Sequence, residues 1–444
     1  MKTTRRDFLR HASAAAAGSA LATTLPLAAT ARPSANEQLN VALIGCRGIG
    51  WDNLRSMLKV PNVRCVGLCD VDQRVLDDRS KDFEELTGQK APKHYRDFRK
   101  LLRERDLDAV IIATPDHWHA LQTILALDAG KHVYVEKPLA NSIEECKAMV
   151  AAQQRTGLVV QVGQQQRSSK HWQDAIAFVH SGELGRVRSV QSWAWLDWKG
   201  SVPHKPDQAA PPPGVDYDMW LGPAPKHAFN ENRFHFTFRW FWEYAGGLMT
   251  DWGVHMIDMV LYGMKAGGPN AVMSAGGKYA YPDDAMRTPD TLNAVYEFDD
   301  FLMSWNHTIG LGRGPYDKDH GVAFHGETAT LVVNRRGWEV IPEYDRNSRP
   351  RVYQRMPVPL QTPNGNDRDA HTLNFVNAVR EGEKLNCDLA TGANTAINAH
   401  LGNIAYRLGK KVYWDKDKQR FKDDPEAQAL ASVEYRRPWK LPKS

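Results

Sequence analysis

The sequence predicts an α/β protein of two domains. A doubly wound parallel sheet comes first, and an α+β domain with a largely antiparallel open sheet follows it. Three observations predict this. The chain has 444 residues, too many for one small domain and enough for two. Between residues 39 and 165 short apolar runs alternate with helical patterns, the rhythm of strands joined by crossover helices. After about residue 166 strand-like runs follow one another through short turns, flanked by long helical stretches.

The elements follow in order. Residues 39–44 (LNVALI) form the first strand and run straight into glycines. Residues 63–69 form the second, closed by Asp70. Residues 73–87 read as an amphipathic helix stopped by Gly88. The run 109–114 (AVIIAT) is apolar throughout, as a strand covered on both faces requires. A helix over 117–129 ends at Gly130, and strands at 132–136 and 159–163 complete a domain spanning 38–165. Residues 187–198 predict a long strand with Trp193 and Trp195 on one face, since side chains two apart point the same way. The Pro-rich stretch 203–213 predicts a loop, and 249–264 a helix. Strand-like runs at 290–299, 301–309 and 321–342 and helices at 367–381 and 390–408 fill the second domain, 166–415. Residues 416–444 are read as a C-terminal tail.

The first turn carries chemistry. Gly45-Cys46-Arg47-Gly48-Ile49-Gly50 follows a strand and opens a helix, where backbone N–H groups can hold a pyrophosphate. Asp70 ends the second strand twenty residues after Gly50 and can accept from both hydroxyls of a ribose; its charge disfavours a 2′-phosphate. Together these features predict a Rossmann dinucleotide site that takes NAD rather than NADP. In the G-x-G-x-x-G register the middle position is Arg47. Either Gly48 takes over its role or Arg47 bonds the phosphates.

Four further blocks line up behind it: Thr114-Pro115-Asp116-His117-Trp118-His119, Glu136-Lys137-Pro138, Gly163-Gln164-Gln165-Gln166-Arg167 and Asp251-Trp252-Gly253-Val254-His255. With the glycine turn they resemble the Gfo/Idh/MocA oxidoreductase family over roughly residues 38–410, and most of all its exported members. Lys137 sits at the carboxyl end of a parallel strand, where doubly wound sheets bind ligands, and can stabilise charge developing on a reacting oxygen. Asp251 and His255 are i and i+4 and so share one face of the expected helix. His255 can take a hydroxyl proton while hydride leaves the same carbon, and Asp251 can orient the imidazole or balance Lys137. The resemblance implies the same catalytic trio, Lys137, Asp251 and His255. It also implies that the Lys137–Pro138 bond is cis, that His119 lies near the nicotinamide ribose and that Gln164 lies near nicotinamide and substrate. Thr114, Pro115 and Glu136 complete the expected cofactor contacts with Gly45, Arg47, Gly48, Ile49, Gly50, Asp70 and Lys137. No metal is expected, although His117/His119 and Asp251/His255/Asp258 offer ligand types.

The N-terminus reads as an address. Thr4-Arg5-Arg6-Asp7-Phe8-Leu9-Arg10 precedes a weakly apolar, Ala-rich stretch and an Ala29-Thr30-Ala31 cleavage site. This resembles a twin-arginine export signal over residues 1–31, and it implies a partner in that export machinery and a periplasmic or secreted, pre-folded product. The stretch is too short and too rich in alanine for a stable membrane span, so no membrane association is expected after cleavage. The signal also holds most of the +5 formal charge; the remaining 413 residues carry 53 basic and 51 acidic groups. No cationic surface is left to argue for nucleic acid. Five cysteines (46, 65, 69, 146, 387) are too few for a disulfide scaffold and read as small buried hydrophobes.

The substrate end is aromatic. Residues 234–244 read FHFTFRWFWEY and, together with Trp193, Trp195 and Trp198, are expected to concentrate aromatics beside the catalytic helix. Rings stack on the C–H faces of sugars, so Trp195, Trp242, Arg239 and His255 are expected to contact a carbohydrate; packing of these rings in the core or at a subunit interface is the competing reading. Two activities follow. One is NAD(P)-dependent oxidation or reduction of a sugar or polyol carbon with a tightly held cofactor. The other is glycoside hydrolysis by transient oxidation, elimination and re-reduction. Relatives that cleave N-acetylgalactosaminides in this way tend to lack the lysine of the E-K-P block, which favours the first. Export favours any cycle that regenerates the cofactor in place, because no nicotinamide pool exists outside the cytoplasm. By analogy with the family a homo-oligomer is expected.

Overall fold

The computed structural model describes residues 38–197 and 200–442; the export signal read from residues 1–31, and Trp198, lie outside these. The first domain is built as β1 (Leu39–Ile44), α1 (Gly48–Met57), β2 (Val63–Cys69), α2 (Gln73–Thr87), β3 (Lys93–Tyr95), α3 (Phe98–Leu101), β4 (Ala109–Ile112), α4 (Asp116–Asp128), β5 (His132–Val135), α5 (Ile143–Thr156) and β6 (Val160–Val162). Its six strands run in the order β3-β2-β1-β4-β5-β6. Every pairing is parallel. All four β4 residues are buried, as expected for a strand covered on both faces. The order reverses between β1 and β4, which opens a crevice at the carboxyl ends of these strands. β4 is two residues shorter than the run 109–114, because Thr114-Pro115 leaves the sheet to start α4.

The second domain continues with α6 (Lys170–His180), β7 (Ser189–Leu196), α7 (Tyr217–Leu221), α8 (Gly247–Asp251), α9 (Gly253–Met264), β8 (Ala271–Gly277), β9 (Thr291–Glu297), β10 (Leu302–Ile309), β11 (His320–His325), β12 (Ala329–Asn334), β13 (Gly337–Pro342) and β14 (Val358–Gln361). It ends with α10 (Asp367–Glu381), α11 (Leu389–Leu408), β15 (Val412–Asp415), β16 (Arg420–Phe421) and α12 (Pro425–Ala429). Ten strands form one sheet in the order β14-β13-β12-β11-β7-β10-β9-β8-β15-β16. Only β7 and β10 pair in parallel; the other pairings are antiparallel.

Two expectations change here. The single helix over 249–264 is broken: Trp252 (φ −97°, ψ −29°) caps α8 and starts α9. Asp251 and His255 therefore sit on two helices, not on one face of one. The long run 321–342 folds back twice into β11, β12 and β13. β8, with a serine and two glycines in seven residues, carries too weak a strand pattern to be read in advance.

In β10, Met303, Trp305 and Ile309 are buried while Leu302, Ser304 and Asn306 are not, so one face of the sheet packs on the helices and the other looks outward. The two domains are interleaved. Ser56 on α1 bonds Thr372 on α10 (2.8 Å), and Gln161 Nε2 donates to the His371 carbonyl (2.7 Å). The tail also returns to the first domain. The Tyr435 hydroxyl donates to Glu145 on α5 (2.6 Å), and Trp439 packs edge-on against Trp118 at 4.9 Å. All five cysteines are buried and free. Among the described residues no helix is long and apolar enough to cross a membrane.

Candidate active site

The crevice at the β1/β4 reversal continues into a cleft of about 770 Å³ between the domains. Its floor is the glycine turn. Gly45 has φ +89°, and a Cβ there would lie 2.5 Å from the Ala113 carbonyl oxygen. A Cβ on Gly50 would meet the Gly45 carbonyl oxygen at 2.1 Å. Only glycine lets α1 start this close to β1 and β4. Arg47 is the extended N-cap of α1 and lines the cleft with Gly45, Gly48 and Ile49. Gly48 and Ile49, whose N–H groups open the first turn of α1, line this space, while the Gly50 N–H is used by the Arg47 carbonyl (3.0 Å). Asp70 stands across the turn at the end of β2. Its Oδ2 accepts from Cys46 N (2.8 Å) and its Oδ1 from Asp72 N (3.0 Å), which fixes the carboxylate toward the cleft. The residues present fit a dinucleotide: a glycine cradle, free amides and an oriented acid.

The reactive end lies at the carboxyl edge of β5. Lys137 Nζ donates to Asp251 Oδ1 at 2.9 Å and to the Asp251 carbonyl at 3.2 Å. Arg239 Nε forms an ion pair with Asp251 Oδ2 at 3.2 Å. Burial opposes the charge on Asp251, but the Lys137 and Arg239 cations overcome it and hold the carboxyl at about 2. The Lys137–Pro138 peptide is cis. His255 lines the same cleft, and its Nδ1 is buried with no hydrogen-bond partner. Burial first, then the charges of Lys137, Arg335 and His320, keep its pKa well below the usual histidine range. The imidazole is thus neutral and able to accept a proton. Glu136 sits beneath, held by Asn53 Nδ2 (2.7 Å) and the Lys137 amide (3.1 Å).

Gly45, Arg47, Gly48, Ile49, Asp70, Thr114, Pro115, Glu136, Lys137, Arg239, Asp251 and His255 all line this one cleft. Five expected contacts do not. Gly50 lies beneath the turn and acts through close packing. His119 is buried behind the cleft, where its ring nitrogens lie 2.7 Å from the Pro138 and Thr114 carbonyls and brace the turn around Lys137. Gln164 is buried with Nε2 on the Val254 carbonyl (3.4 Å), and Gln165 takes the lining position. Trp195 stands on the outward face of the second sheet and donates to Asn306. Trp242 donates to the Arg287 carbonyl (3.0 Å) and lies under Arg407 (5.3 Å). Neither indole is among the residues that line the cleft.

Sequence reasoning missed Asp116, Gln165, His235, Trp252, Asp319, Arg335 and Arg368, which also line the cleft. Asp116 and Trp252 lie inside blocks already singled out. Arg335 and Arg368 come from a strand turn and a helix start with no motif around them. Asp258 is buried against Arg167 (2.8 and 2.9 Å) and Thr395 (2.9 Å), away from Asp251. Among the described residues no three His, Cys, Asp or Glu side chains are grouped to hold a metal ion.

Fold and cleft together define a two-domain, dinucleotide-binding oxidoreductase. Residues 39–164 match the family description "Oxidoreductase family, NAD-binding Rossmann fold", and residues 178–296 with 359–441 match "Oxidoreductase family, C-terminal alpha/beta domain". These two parts of one family cover well over half of the chain, and the protein belongs to the Gfo/Idh/MocA oxidoreductase family. A glycosyl hydrolase family 109 protein of Shewanella pealeana is 34% identical over 175 residues, 35% of this chain and 38% of that protein. An alpha-N-acetylgalactosaminidase of Shewanella oneidensis is 33% identical over 174 residues, 34% of this chain and 37% of that protein. The chain thus matches well under half the length of these relatives. Among solved structures, levoglucosan dehydrogenase in complex with NADH and levoglucosan superposes with a TM-score of 0.63 at 20% identity, covering 85% of this chain and 99% of the other. Aldose-aldose oxidoreductase from Caulobacter crescentus gives 0.62 at 19%, again over 85% and 99%. At these identities the likeness is one of fold.

Proposed function

We propose that the protein moves hydride between a hydroxyl carbon of a sugar or polyol and a tightly held NAD. The observation that carries this is the meeting of Lys137, Asp251, Arg239 and His255 at one end of the cleft whose other end is the glycine turn and Asp70. Bound nicotinamide supplies the hydride acceptor. The protein's own groups do the rest. Lys137, held by Asp251, presents its ammonium to the substrate oxygen and stabilises negative charge as the O–H bond breaks. Neutral His255 takes the hydroxyl proton. Asp251 is a fixed anion that positions Lys137 and Arg239, and Asp70 holds the ribose hydroxyls and disfavours a 2′-phosphate. Names of the relatives and fold neighbours that include sugars support a carbohydrate substrate.

The cycle proposed is self-contained. The N-terminal segment reads as a twin-arginine signal, which places the mature protein in the periplasm or outside the cell. There a captive cofactor is re-oxidised or re-reduced by a second sugar. The protein works as a homo-oligomer joined through the outward sheet face, where Met273 and Val295 pair across β8 and β9 and are exposed.

A second reading has specific support: the relatives named glycosyl hydrolase family 109. In that case the same oxidation acidifies the neighbouring C–H, the glycoside is eliminated, water adds and the ketone is reduced again. Incubation of the purified protein with paired sugars and with glycosides, with product analysis by mass spectrometry, separates the two. An oxidised sugar appearing together with a reduced one supports hydride exchange. A released aglycone with no net redox product supports hydrolysis. Neither product across the panel contradicts the proposal.

A further inference from the structure

Arg335 lies in the turn between β12 and β13 and reaches into the catalytic cleft. Its guanidinium lies over the Trp252 ring at 4.6 Å, and its Nε donates to Gln166 Oε1 at 3.1 Å. Gln166 in turn donates to the His255 carbonyl (3.2 Å), so this edge of the guanidinium is tied to the catalytic helix. The two Nη groups have no hydrogen-bond or ion-pair partner among the described residues. Asp367, Asp251 and Asp319 act on Arg335, but none of them forms an ion pair with it. Asp251 is taken by Lys137 and Arg239, and Asp319 by Arg336 and His320. Arg368, a second cation of the same cleft wall, is bound to Asp52 (3.2 Å), but its Nε is buried with no partner. Burial lowers the pKa of Arg335 against the opposing pull of Asp367, Asp251 and Asp319.

A half-buried guanidinium with a free fork costs stability unless something pairs with it in the working state. The fork is planar and matches a carboxylate with two parallel hydrogen bonds. The glycine turn offers its own backbone amides and Arg47 to a pyrophosphate, so this cation is not needed there. We infer that the sugar substrate carries a carboxylate, as a uronate or aldonate does, and that Arg335 grips it while Lys137 and His255 address a hydroxyl on the same molecule. Trp252 then serves as a platform that holds the guanidinium flat, and Gln166 sets its rotation. The inference rests on the proposed hydride chemistry of the cleft and names the class of sugar it takes.

The test uses the full-length mature protein loaded with NADH. Titration calorimetry compares D-glucuronate, D-galacturonate and D-gluconate with the methyl esters of the two uronates and with D-glucose and D-galactose. The expected result is that at least one acid binds roughly 10- to 100-fold more tightly than its neutral counterpart, the scale of one charge-assisted bidentate contact. In Arg335→Gln this preference is lost. In Arg335→Lys, which keeps the charge without the fork, part of it survives. Melting curves of each variant with NADH report folding independently. Equal binding of acids and neutral sugars, binding by neither set, or an undiminished preference in Arg335→Gln overturns the inference. Failure of the protein to bind NADH at all is a different result, and it counts against the proposed function instead.

Discussion

At the level of single residues, Lys137 and Asp116 make separable predictions. Lys137→Ala removes the ammonium paired with Asp251, leaving Arg239 as its counter-charge among the described residues. Turnover of bound cofactor is expected to fall roughly 100- to 10,000-fold, while NADH binding, followed by fluorescence, survives. Unchanged turnover would remove Lys137 from the mechanism. Asp116, the first residue of α4, is buried in the same cleft. Burial pushes its carboxyl up to about 7; Arg239 and Lys137 oppose this, and Asp251 adds to it. The sign follows from linkage. Between about pH 4 and 7 the native state holds a proton on Asp116 that the unfolded chain has released, so this group lowers stability as pH rises through that window. Asp116→Asn is therefore expected to be more stable than wild type at pH 8, by on the order of 2–4 kcal/mol, with the gap closing toward pH 4. A gap that widens toward acid pH would show that the carboxylate is stabilised, not strained, by its surroundings. Trp242→Ala is expected to leave KM for the sugar unchanged, since the indole sits on Arg287 and Arg407 outside the cleft. A rise in KM would return that ring to the substrate site.

At the level of elements, the start of α1 is the most exacting piece of backbone. Gly50→Ala places a methyl against the Gly45 carbonyl at 2.1 Å, and relief requires α1 to move away from β1. The expected cost is roughly 2–4 kcal/mol together with loss of NADH binding. Gly48 has open space around it and φ +39°. Gly48→Ala therefore pays only for its backbone conformation, about 1–2 kcal/mol. Equal effects of the two in thermal melts would contradict the packing account. This element was legible in the sequence because glycine spacing, the preceding strand and Asp70 all act locally. The broken α8/α9 pair was not. Nothing in GLMTDWGVHMIDMV announces that Trp252 leaves the helix, since its conformation is set by tertiary contacts with Arg335 and His320. The side-chain chemistry of Asp251 and His255 could be read in advance, but their shared helix face could not. Strand polarity was equally hidden. Trp195 alternates correctly along β7, yet which face of β7 meets the helices is decided by its neighbours β10 and β11.

At the scale of the whole molecule, the cleft exists because the second domain does not simply follow the first. α10 packs on α1, and α11 on α5 and β8. The tail returns over α5 through Tyr435. These long-range contacts explain why the division at residue 165 is visible in sequence texture while the wall of the site is not. Arg335 and Arg368 come from late in the chain, where no motif marks them, and only topology brings them beside Lys137. The outward face of the ten-stranded sheet makes its own prediction. Met273→Glu combined with Val295→Glu is expected to dissociate the proposed oligomer in sedimentation velocity without lowering the melting temperature of the monomer. A wild-type protein that sediments as a monomer would contradict the proposed assembly.

The proposed chemistry requires that this cleft hold a nicotinamide cofactor captive and use it for hydride transfer. The most direct measurement is to purify the mature protein without added nucleotide, denature it, and identify what is released by mass spectrometry. NAD or NADH is expected at close to one per chain. Protein that releases no nucleotide and takes up none on titration would contradict it. Release of NADP(H) would show that Asp70 does not select the ribose.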